Sequence, residues 1–202
     1  ELFVKELARE MTQKSGQKCT AIRRAFVPAA AYGAVAEAVA ARLARTTVGN
    51  PRNTSVRMGS LVSRAQLASV REGLARLQAV AQTLHDGSQA PLVDADPAIA
   101  CCVGPTLLGL PTPEAVAATA LVHDLEVFGP VATLLPYSDL ADATGGIARG
   151  QGSLVASLYG ADDAALARTA IALAPHHGRV HVVSPASAAS HTGHGNVMPQ
   201  SL

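Results

Sequence analysis

A cysteine directly after a glycine turn is the first residue in this sequence with the chemistry of a nucleophile. Cys19 ends the segment 16–19 (Gly-Gln-Lys-Cys), which lies between a predicted amphipathic helix and a predicted strand. A thiolate is the strongest nucleophile that a side chain offers near neutral pH, but a thiol with the ordinary pKa of about 8.5 needs activation. Lys18 and the backbone amides of the turn could supply positive potential. The spacing leaves two interpretations open, a buried structural cysteine and a nucleophile.

A carboxylate and an aromatic ring stand before a Gly-Pro turn, far downstream of the cysteine. Glu126 and Phe128 are followed by Gly129, Pro130 and a continuous apolar run. A carboxylate can accept two hydrogen bonds from a diol, an arrangement that suits a ribose. The same residues could also form an ordinary entrance to a strand, in which Gly129 and Pro130 only shape the turn.

Other residues with metal-binding or redox chemistry give weaker signals. Cys101 and Cys102 are adjacent, but no second pair lies at zinc-ligand spacing, so we interpret them as ordinary strand cysteines. Five histidines lie near the C-terminus without an HExxH-type register, namely His176, His177, His181, His191 and His194. The sequence therefore predicts no metal site.

Composition and charge exclude several classes of function. The chain has 202 residues, of which 49% are hydrophobic and only 3% aromatic, so its core is built from aliphatic side chains. A net charge of +1 without a basic block predicts neither nucleic acid nor an anionic membrane as a partner. No apolar run is long enough to span a bilayer, and the charged N-terminus is not a signal peptide. Three cysteines form no disulfide framework, which favours a reducing cytoplasm.

The periodicity of apolar residues places these motifs in an α/β fold. It predicts helices over residues 1–14, 29–46, 63–82, 139–149 and 162–173, and strands over residues 22–27, 105–110, 131–135, 154–159 and 179–183. Residues 48–60 are predicted to form a loop, 85–105 to be irregular with one short strand at most, and 184–202 to lack periodic structure. Alternating strands and helices indicate one domain with a mostly parallel open sheet and helices on both faces.

The two motifs together resemble the catalytic-cysteine and glutamate-phenylalanine-glycine-proline motifs of the aldehyde dehydrogenase superfamily. Gly16, Gln17 and Cys19 match the first motif, and the likeness extends over almost the whole chain. It implies that Cys19 attacks an aldehyde carbon to form a thiohemiacetal, that a hydride passes to a nicotinamide, and that water hydrolyses the resulting thioester. It also implies that Glu126 binds the nicotinamide ribose hydroxyls and that Phe128 packs against the same end of the cofactor.

Several stretches resemble one subgroup of that superfamily. Residues 9–14, 20–24, 58–62, 152–154 and 192–195 are similar to enzymes that oxidise CoA-linked semialdehydes from ring cleavage in aromatic catabolism. Residues 47–53 and 195–199 favour the benzoyl-CoA branch, with the aldehyde dehydrogenase half of the phenylacetate ring-cleavage enzyme as the alternative. This resemblance implies a CoA-linked semialdehyde substrate, NADP as the preferred cofactor with NAD as an option, and a homodimer.

The resemblance also implies that residues 1–202 are a catalytic domain cut at both ends. The general-base glutamate, the oxyanion-hole asparagine and the dinucleotide-binding domain would lie before Glu1, and the oligomerisation strand after Leu202. Glu6 and Glu10 lie on the helix that leads to Cys19 and are not expected to be the base. We therefore expect the chain alone to bind no cofactor and to be inactive. A binding or scaffold module, and a thiol acyl-transfer site without nicotinamide, remain as competing hypotheses.

Overall fold

The fold is known from a computed structural model that describes residues 1–190 and 193–195. The helices are α1 (Leu2–Thr12), α2 (Tyr32–Leu43), α3 (Arg64–Gln78), α4 (Pro113–Ala118), α5 (Leu121–Asp124), α6 (Leu140–Ala148) and α7 (Asp163–Leu173). The strands are β1 (Arg24–Pro28), β2 (Val48–Gly49), β3 (Gln82–Asp86), β4 (Leu92–Val93), β5 (Thr106–Gly109), β6 (Val131–Tyr137), β7 (Ser153–Tyr159) and β8 (His177–Val183). Short 3-10 turns span Gln13–Gly16, Ala29–Ala31 and Ala174–His176.

The largest sheet has four strands in the order β1-β6-β5-β3. Strands β1, β6 and β5 run parallel, and β3 is an antiparallel edge strand. Strand β6 pairs Thr133 with Arg24 of β1 and Val131 with Thr106 of β5. Two further parallel pairs, β7-β8 and β2-β4, complete the strands. The α/β fold with a mostly parallel open sheet is therefore confirmed.

Helices cover both faces of this sheet because successive side chains of a strand point to opposite sides. Leu107 and Leu134 belong to the core cluster that contains the buried residues of α1 and α2. Their neighbours Leu108 and Leu135 belong to a second cluster, which contains the buried stripe of α3. The continuous apolar runs in the sequence thus have a simple cause, since the central strands are buried on both faces.

Four helices begin at a residue whose side chain accepts a hydrogen bond from the first turn. Ser63 caps α3, Thr112 caps α4, Asp139 caps α6 and Asp162 caps α7. Each oxygen accepts from the backbone N–H three residues later, which satisfies a donor that the helix itself leaves without a partner. Asp162, the first residue of the helix predicted over residues 162–173, is thus the cap of α7.

Several local predictions were wrong, and the errors share a cause. The helix predicted to reach residue 82 ends at Gln78, and β3 follows it as an edge strand with little burial. Such a strand lacks the alternating pattern that a half-buried strand shows. The two-residue strand β2 lies inside the predicted loop, and α4 and α5 were missed because a helix of one or two turns has too few residues to show a period.

Cys101 and Cys102 do not lie in a strand, so that prediction was also wrong. They lie in a segment without regular secondary structure before β5, in which the backbone carbonyl of Cys101 accepts a hydrogen bond from the Leu61 N–H at 2.8 Å. Cys102 is buried against Val48 and Met58. Burial, followed by the neighbouring Cys101, raises the pKa of the Cys102 thiol, which is the opposite of the shift that activates a nucleophile.

Within residues 1–190 and 193–195, no helix combines the length and the apolar character that crossing a membrane requires.

Candidate active site

The loop that carries Cys19 has an unusual backbone. After α1 ends, Lys14, Ser15 and Gly16 have φ values of 52°, 55° and 68°, in the left-handed region that residues other than glycine seldom adopt. The Ser15 hydroxyl, which is buried, donates to the Gly59 carbonyl at 2.8 Å and helps to hold this conformation. The loop ends in a turn in which the Ala21 N–H donates to the Lys18 carbonyl at 3.1 Å, and Cys19 lies inside that turn.

Cys19 is exposed in this turn. The interpretation of Cys19 as a buried structural cysteine is therefore wrong for the described chain. An exposed thiol at a turn is accessible to a substrate carbonyl, which is the first requirement for a nucleophile.

The cysteine loop lies directly against the turn that follows Phe128. Both segments precede neighbouring parallel strands, the loop before β1 and the turn before β6, so the topology places them at the same edge of the sheet. The contact is close, because a Cβ atom added to Gly16 would lie 2.1 Å from the carbonyl oxygen of Gly129. Glycine is required at position 16 both by this approach and by its left-handed φ.

Arg23 holds the two segments together. Its Nη2 donates to the Gly16 carbonyl at 2.7 Å and its Nη1 to the Gly129 carbonyl at 2.7 Å. Its Nε donates to Oε1 of Glu126 at 3.3 Å, and the guanidinium lies 5.2 Å from the centroid of the Phe128 ring. Burial lowers the pKa of Arg23, an effect that the nearby Glu126 opposes. The sequence interpretation did not assign Arg23 a role.

Glu126 and Phe128 lie at the surface of this contact. The Glu126 side chain is 60% exposed and Phe128 is 39% exposed, so both can meet a ligand. The backbone of Phe128 is fixed from α3, where Gln66 donates to its carbonyl at 2.7 Å. Phe128 and Gln66 also line an open depression of about 370 Å³, together with Lys14, Gln17 and Val62.

Gln17 connects the cysteine loop to the segment before α3. Its Oε1 accepts from the Val62 N–H at 2.9 Å and its Nε2 donates to the Lys14 carbonyl at 3.1 Å. Gln17 of the cysteine motif therefore has a structural role in the loop, because its side chain forms hydrogen bonds with the backbones of two different segments.

Lys18 does not contribute a free positive charge to Cys19, contrary to one suggestion from the sequence. Its ammonium lies 2.6 Å from Oε2 of Glu10 and donates to Oε1 of Gln13 at 2.9 Å. The Glu10 side chain is only 3% exposed and that of Lys18 is 11% exposed. The charge of Lys18 is thus balanced in the interior, and Glu10 is committed to an ion pair. Removing one partner of such a pair would leave an uncompensated buried charge.

His194 contacts Thr20, the residue that follows Cys19. The imidazole is buried, its Nδ1 is 2.7 Å from the Ser157 hydroxyl, and the ring also has a hydrogen bond with the backbone of Thr20. The His194 carbonyl accepts a hydrogen bond from Arg179. Burial lowers the pKa of His194 to about 4, and the positive charges of Lys18 and Arg179 act in the same direction. The imidazole is therefore neutral near pH 7.

Tyr159 of β7 is, like His194, shielded from solvent. Its hydroxyl is buried, and burial raises its pKa to about 12, with the carboxylate of Glu6 adding to the shift. The ring packs edge-on against Phe3 of α1 at 5.5 Å between centroids. A layer of buried polar groups therefore lies between α1 and the β7-β8 pair.

The clustered histidines do not form a metal site among the residues that the structure describes. No group of three His, Cys, Asp or Glu side chains in those ranges is placed to hold an ion. Instead, Nδ1 of His177 donates to the Leu173 carbonyl at 2.9 Å. His191 lies outside the described residues.

Comparison with known proteins places this chain in a family. The family model described as "Aldehyde dehydrogenase family" matches residues 1–196. Since the match covers nearly all of the chain, the protein belongs to the aldehyde dehydrogenase family.

Two curated proteins are similar to the chain over most of its length. The chain is 51% identical over 203 aligned positions to 3,4-dehydroadipyl-CoA semialdehyde dehydrogenase of Aromatoleum evansii, an alignment that covers 100% of this chain and 39% of the relative. It is 36% identical over 143 positions to Protein MaoC of Klebsiella aerogenes, covering 71% of this chain and 41% of that protein. The chain thus spans about two-fifths of the length of these relatives.

Solved structures agree on the fold. A betaine aldehyde dehydrogenase from Staphylococcus aureus, crystallised in complex with NAD+, superposes with a TM-score of 0.79 at 20% identity, over 90% of this chain and 35% of that one. An NAD-dependent benzaldehyde dehydrogenase from Corynebacterium glutamicum gives a TM-score of 0.71 at 21% identity, over 89% of this chain and 36% of that one.

The close approach of Gly16 to Gly129 predicts a large effect of a small substitution. Gly16→Ala should lower the free energy of unfolding by at least about 1–2 kcal/mol, the cost of a left-handed residue with a Cβ atom, and by more because the methyl group meets the Gly129 carbonyl. Chemical denaturation measures the change. In the control Gly33→Ala, the added methyl group on α2 meets no atom within 4 Å and should raise stability by about 0.4–1 kcal/mol. Equal effects of the two substitutions would contradict this account.

The buried neutral His194 predicts a pH dependence of stability. Its pKa of about 4 lies below the unfolded value of about 6.5, so the folded state binds fewer protons between these values. The contribution of His194 to unfolding free energy should therefore fall as pH drops through that window, by up to about 3 kcal/mol. Urea unfolding of wild type and His194→Gln at pH 7.5 and pH 4.5 isolates this contribution. We expect the wild type to lose more stability than the variant, and parallel losses would show that His194 does not titrate as described.

Proposed function

We propose that this chain carries the nucleophile and part of the cofactor site of a nicotinamide-dependent aldehyde dehydrogenase whose substrate is a CoA-linked semialdehyde. The observation that supports this most directly is the contact between the Cys19 loop and the turn after Glu126 and Phe128. A nucleophile and a ribose-binding carboxylate have to lie side by side for a bound aldehyde to face a nicotinamide. Arg23 and the Gly16–Gly129 contact bring these two segments together.

The residues present fit one end of a nicotinamide nucleotide. The Glu126 carboxylate is exposed, and its hydrogen bond to Arg23 engages Oε1. A carboxylate has about four lone-pair positions, so capacity remains for the two hydroxyls of a ribose. The Phe128 ring is half-exposed beside it and could pack against the same end of the ligand. When bound, the nicotinamide ring supplies a hydride acceptor.

Cys19 would perform the covalent steps. Its thiolate attacks the aldehyde carbon, the carbonyl π electrons move to oxygen, and a thiohemiacetal forms. A hydride would then leave that carbon for the nicotinamide of the bound cofactor, and the carbonyl is restored as a thioester. Attack by water then releases the carboxylic acid and returns the thiol, so each turnover oxidises one aldehyde by two electrons. The exposed position of Cys19 in its turn leaves room for this tetrahedral carbon.

The identity of the substrate is proposed from the curated relatives. The relative from Aromatoleum evansii bears the name 3,4-dehydroadipyl-CoA semialdehyde dehydrogenase and shares 51% identity over the full length of this chain. We accordingly propose 3,4-dehydroadipyl-CoA semialdehyde as the substrate, NADP as the cofactor, and a cytoplasmic homodimer that acts in benzoate catabolism. On this proposal residues 1–202 belong to the catalytic domain.

Two competing hypotheses receive less support. A scaffold module has no need for an exposed thiol on a loop that is held against the turn after Glu126 and Phe128, whereas a nucleophile beside a cofactor site does. Acyl transfer without nicotinamide would use Cys19 but would leave the arrangement of Glu126 and Phe128 without a purpose. The phenylacetate alternative concerns only the substrate, and assays with both CoA-linked semialdehydes decide it.

The role of Cys19 is tested by its removal from the complete protein. Cys19→Ala should abolish aldehyde oxidation and leave folding and cofactor binding almost unchanged, because only the covalent steps need the thiol. Steady-state formation of reduced cofactor and a binding titration measure the two properties. Cys101→Ala, at a half-buried thiol outside the loop, is the matched control and should stay active. Turnover of Cys19→Ala within about tenfold of wild type would remove Cys19 from the mechanism.

The role of Glu126 is tested separately from nucleophilicity. Glu126→Gln should weaken cofactor binding and slow hydride transfer by the loss of a charge-assisted hydrogen bond, worth about 1.5–3 kcal/mol, and the exposure of this carboxylate favours the lower end. Iodoacetamide should still alkylate Cys19. Single-turnover kinetics measure the transfer, and Glu72→Gln on the exposed face of α3 serves as the control. An unchanged single-turnover rate in Glu126→Gln would refute the assignment.

A further inference from the structure

We propose that Arg23 is a positioning residue that holds the nucleophile loop and the cofactor-binding carboxylate in a fixed relation, an inference that rests on the proposed function. Three nitrogens of one guanidinium are used for this purpose. Nε bonds Glu126, Nη1 bonds the Gly129 carbonyl and Nη2 bonds the Gly16 carbonyl. Because the guanidinium is planar and rigid, the three acceptors are fixed relative to one another.

The cation also makes the close contact of two backbones favourable. The carbonyl groups of Gly16 and Gly129 both direct their oxygens to Arg23, each at 2.7 Å. Without the guanidinium, the Gly16 carbonyl would lose this donor and the Gly129 carbonyl would keep the Val131 N–H, which donates to it at 2.8 Å. The contact is largely closed to water, since the Arg23 side chain is only 16% exposed, so the loss of these bonds favours separation of the segments.

The same guanidinium fixes the two side chains that would meet the cofactor. Its contact with the Phe128 ring, 5.2 Å from the centroid, is a cation–π interaction that orients the aromatic face. The bond to Oε1 restricts the rotation of the Glu126 carboxylate, whose side chain is otherwise mostly exposed. Arg23 therefore contacts Gly16 of the first motif and Glu126, Phe128 and Gly129 of the second.

Arg24 provides the contrast. It is the next residue of the chain, and it begins β1 with its side chain directed elsewhere. Its guanidinium contacts Nδ1 of His123 at 3.0 Å and donates to the carbonyls of Gly146 and Ile147 at 3.0 Å each. It is also largely buried, and burial lowers its pKa, so the two neighbours share residue type and environment but differ in what they hold.

A lysine cannot reproduce the role of Arg23. Its single ammonium keeps the charge but cannot reach three acceptors that are spaced for a planar fork. Arg23→Lys therefore removes the geometry while it preserves the net charge. Arg24→Lys makes the same chemical change at a site whose bonds only join α5 and α6 to β1.

The experiment compares Arg23→Lys and Arg24→Lys in the complete protein by two independent readouts. The first is the rate at which iodoacetamide alkylates Cys19 without cofactor, followed by peptide mass spectrometry so that the other two thiols do not interfere. The second is the KM for NADP and the kcat of aldehyde oxidation. Thermal melting of both variants records the purely structural effect of each substitution.

We expect Arg23→Lys to change the alkylation rate of Cys19 by about threefold or more and to raise the KM for NADP by about tenfold. Arg24→Lys should lower the melting temperature but leave both readouts within about twofold of wild type. Glu126→Gln should raise the KM for NADP without changing the alkylation rate of Cys19. In the double variant with Arg23→Lys and Glu126→Gln, the rise in KM should be smaller than the product of the two single rises, because the two residues share one interaction.

Two results would overturn the proposal. One is an Arg23→Lys variant with alkylation and KM both within about twofold of wild type, and the other is an Arg24→Lys variant that changes both to the same extent. If Arg23→Lys does not fold, Arg23→Gln, which keeps a planar donor group, takes its place. If the wild-type protein oxidises no aldehyde with NADP, the proposed function fails, and the alkylation rates alone then decide whether Arg23 positions the Cys19 loop.

Discussion

The contact between Gly16 and Gly129 is the constraint on which the candidate site depends. Two segments that are distant in sequence meet there because β1 and β6 are parallel neighbours and each segment enters one of these strands. Backbones approach this closely only where a residue has no Cβ atom, and the left-handed φ of Gly16 adds the same requirement. The guanidinium of Arg23 then donates to both glycine carbonyls at the contact.

Beneath the Cys19 loop lies a second layer of polar groups that is almost free of solvent. Glu10 and Lys18 form an ion pair there, and the backbone of Gly195 lies so close that an added Cβ would be 2.6 Å from the Lys18 Nζ. His194 contacts Thr20 and Ser157 in the same region. Buried ion pairs contribute little net stability, but breaking one is costly, so such a layer permits few alternative conformations of the loop above it. Contacts at both ends of the loop therefore hold Lys14 and Ser15 in the left-handed backbone conformation.

Much of the fold could be predicted because apolar periodicity is strong where burial is complete. Strand β6 is a continuous apolar run that is buried on both faces, and α3 shows a clear stripe, so both were recognised with errors only at their ends. Strand β3 was missed because an edge strand with exposed side chains leaves no such pattern. Cys101 and Cys102 were placed in a strand because a short apolar run does not by itself distinguish a strand from a buried irregular segment.

The sequence by itself determined which residues form the two motifs of the site. It could do so because the Gly-Gln-x-Cys segment and the succession of Glu126 and Phe128 are local patterns along the chain. It did not reveal that Lys18 is neutralised by Glu10 or that Arg23 rather than Arg24 joins the two motifs. Arg23 immediately precedes β1 and Arg24 begins it. Only the alternation of side chains along the extended chain, together with the neighbour on each side, decides which arginine faces the site. Partners of a long charged side chain come from the packing of distant elements, and that information exists only in the tertiary structure.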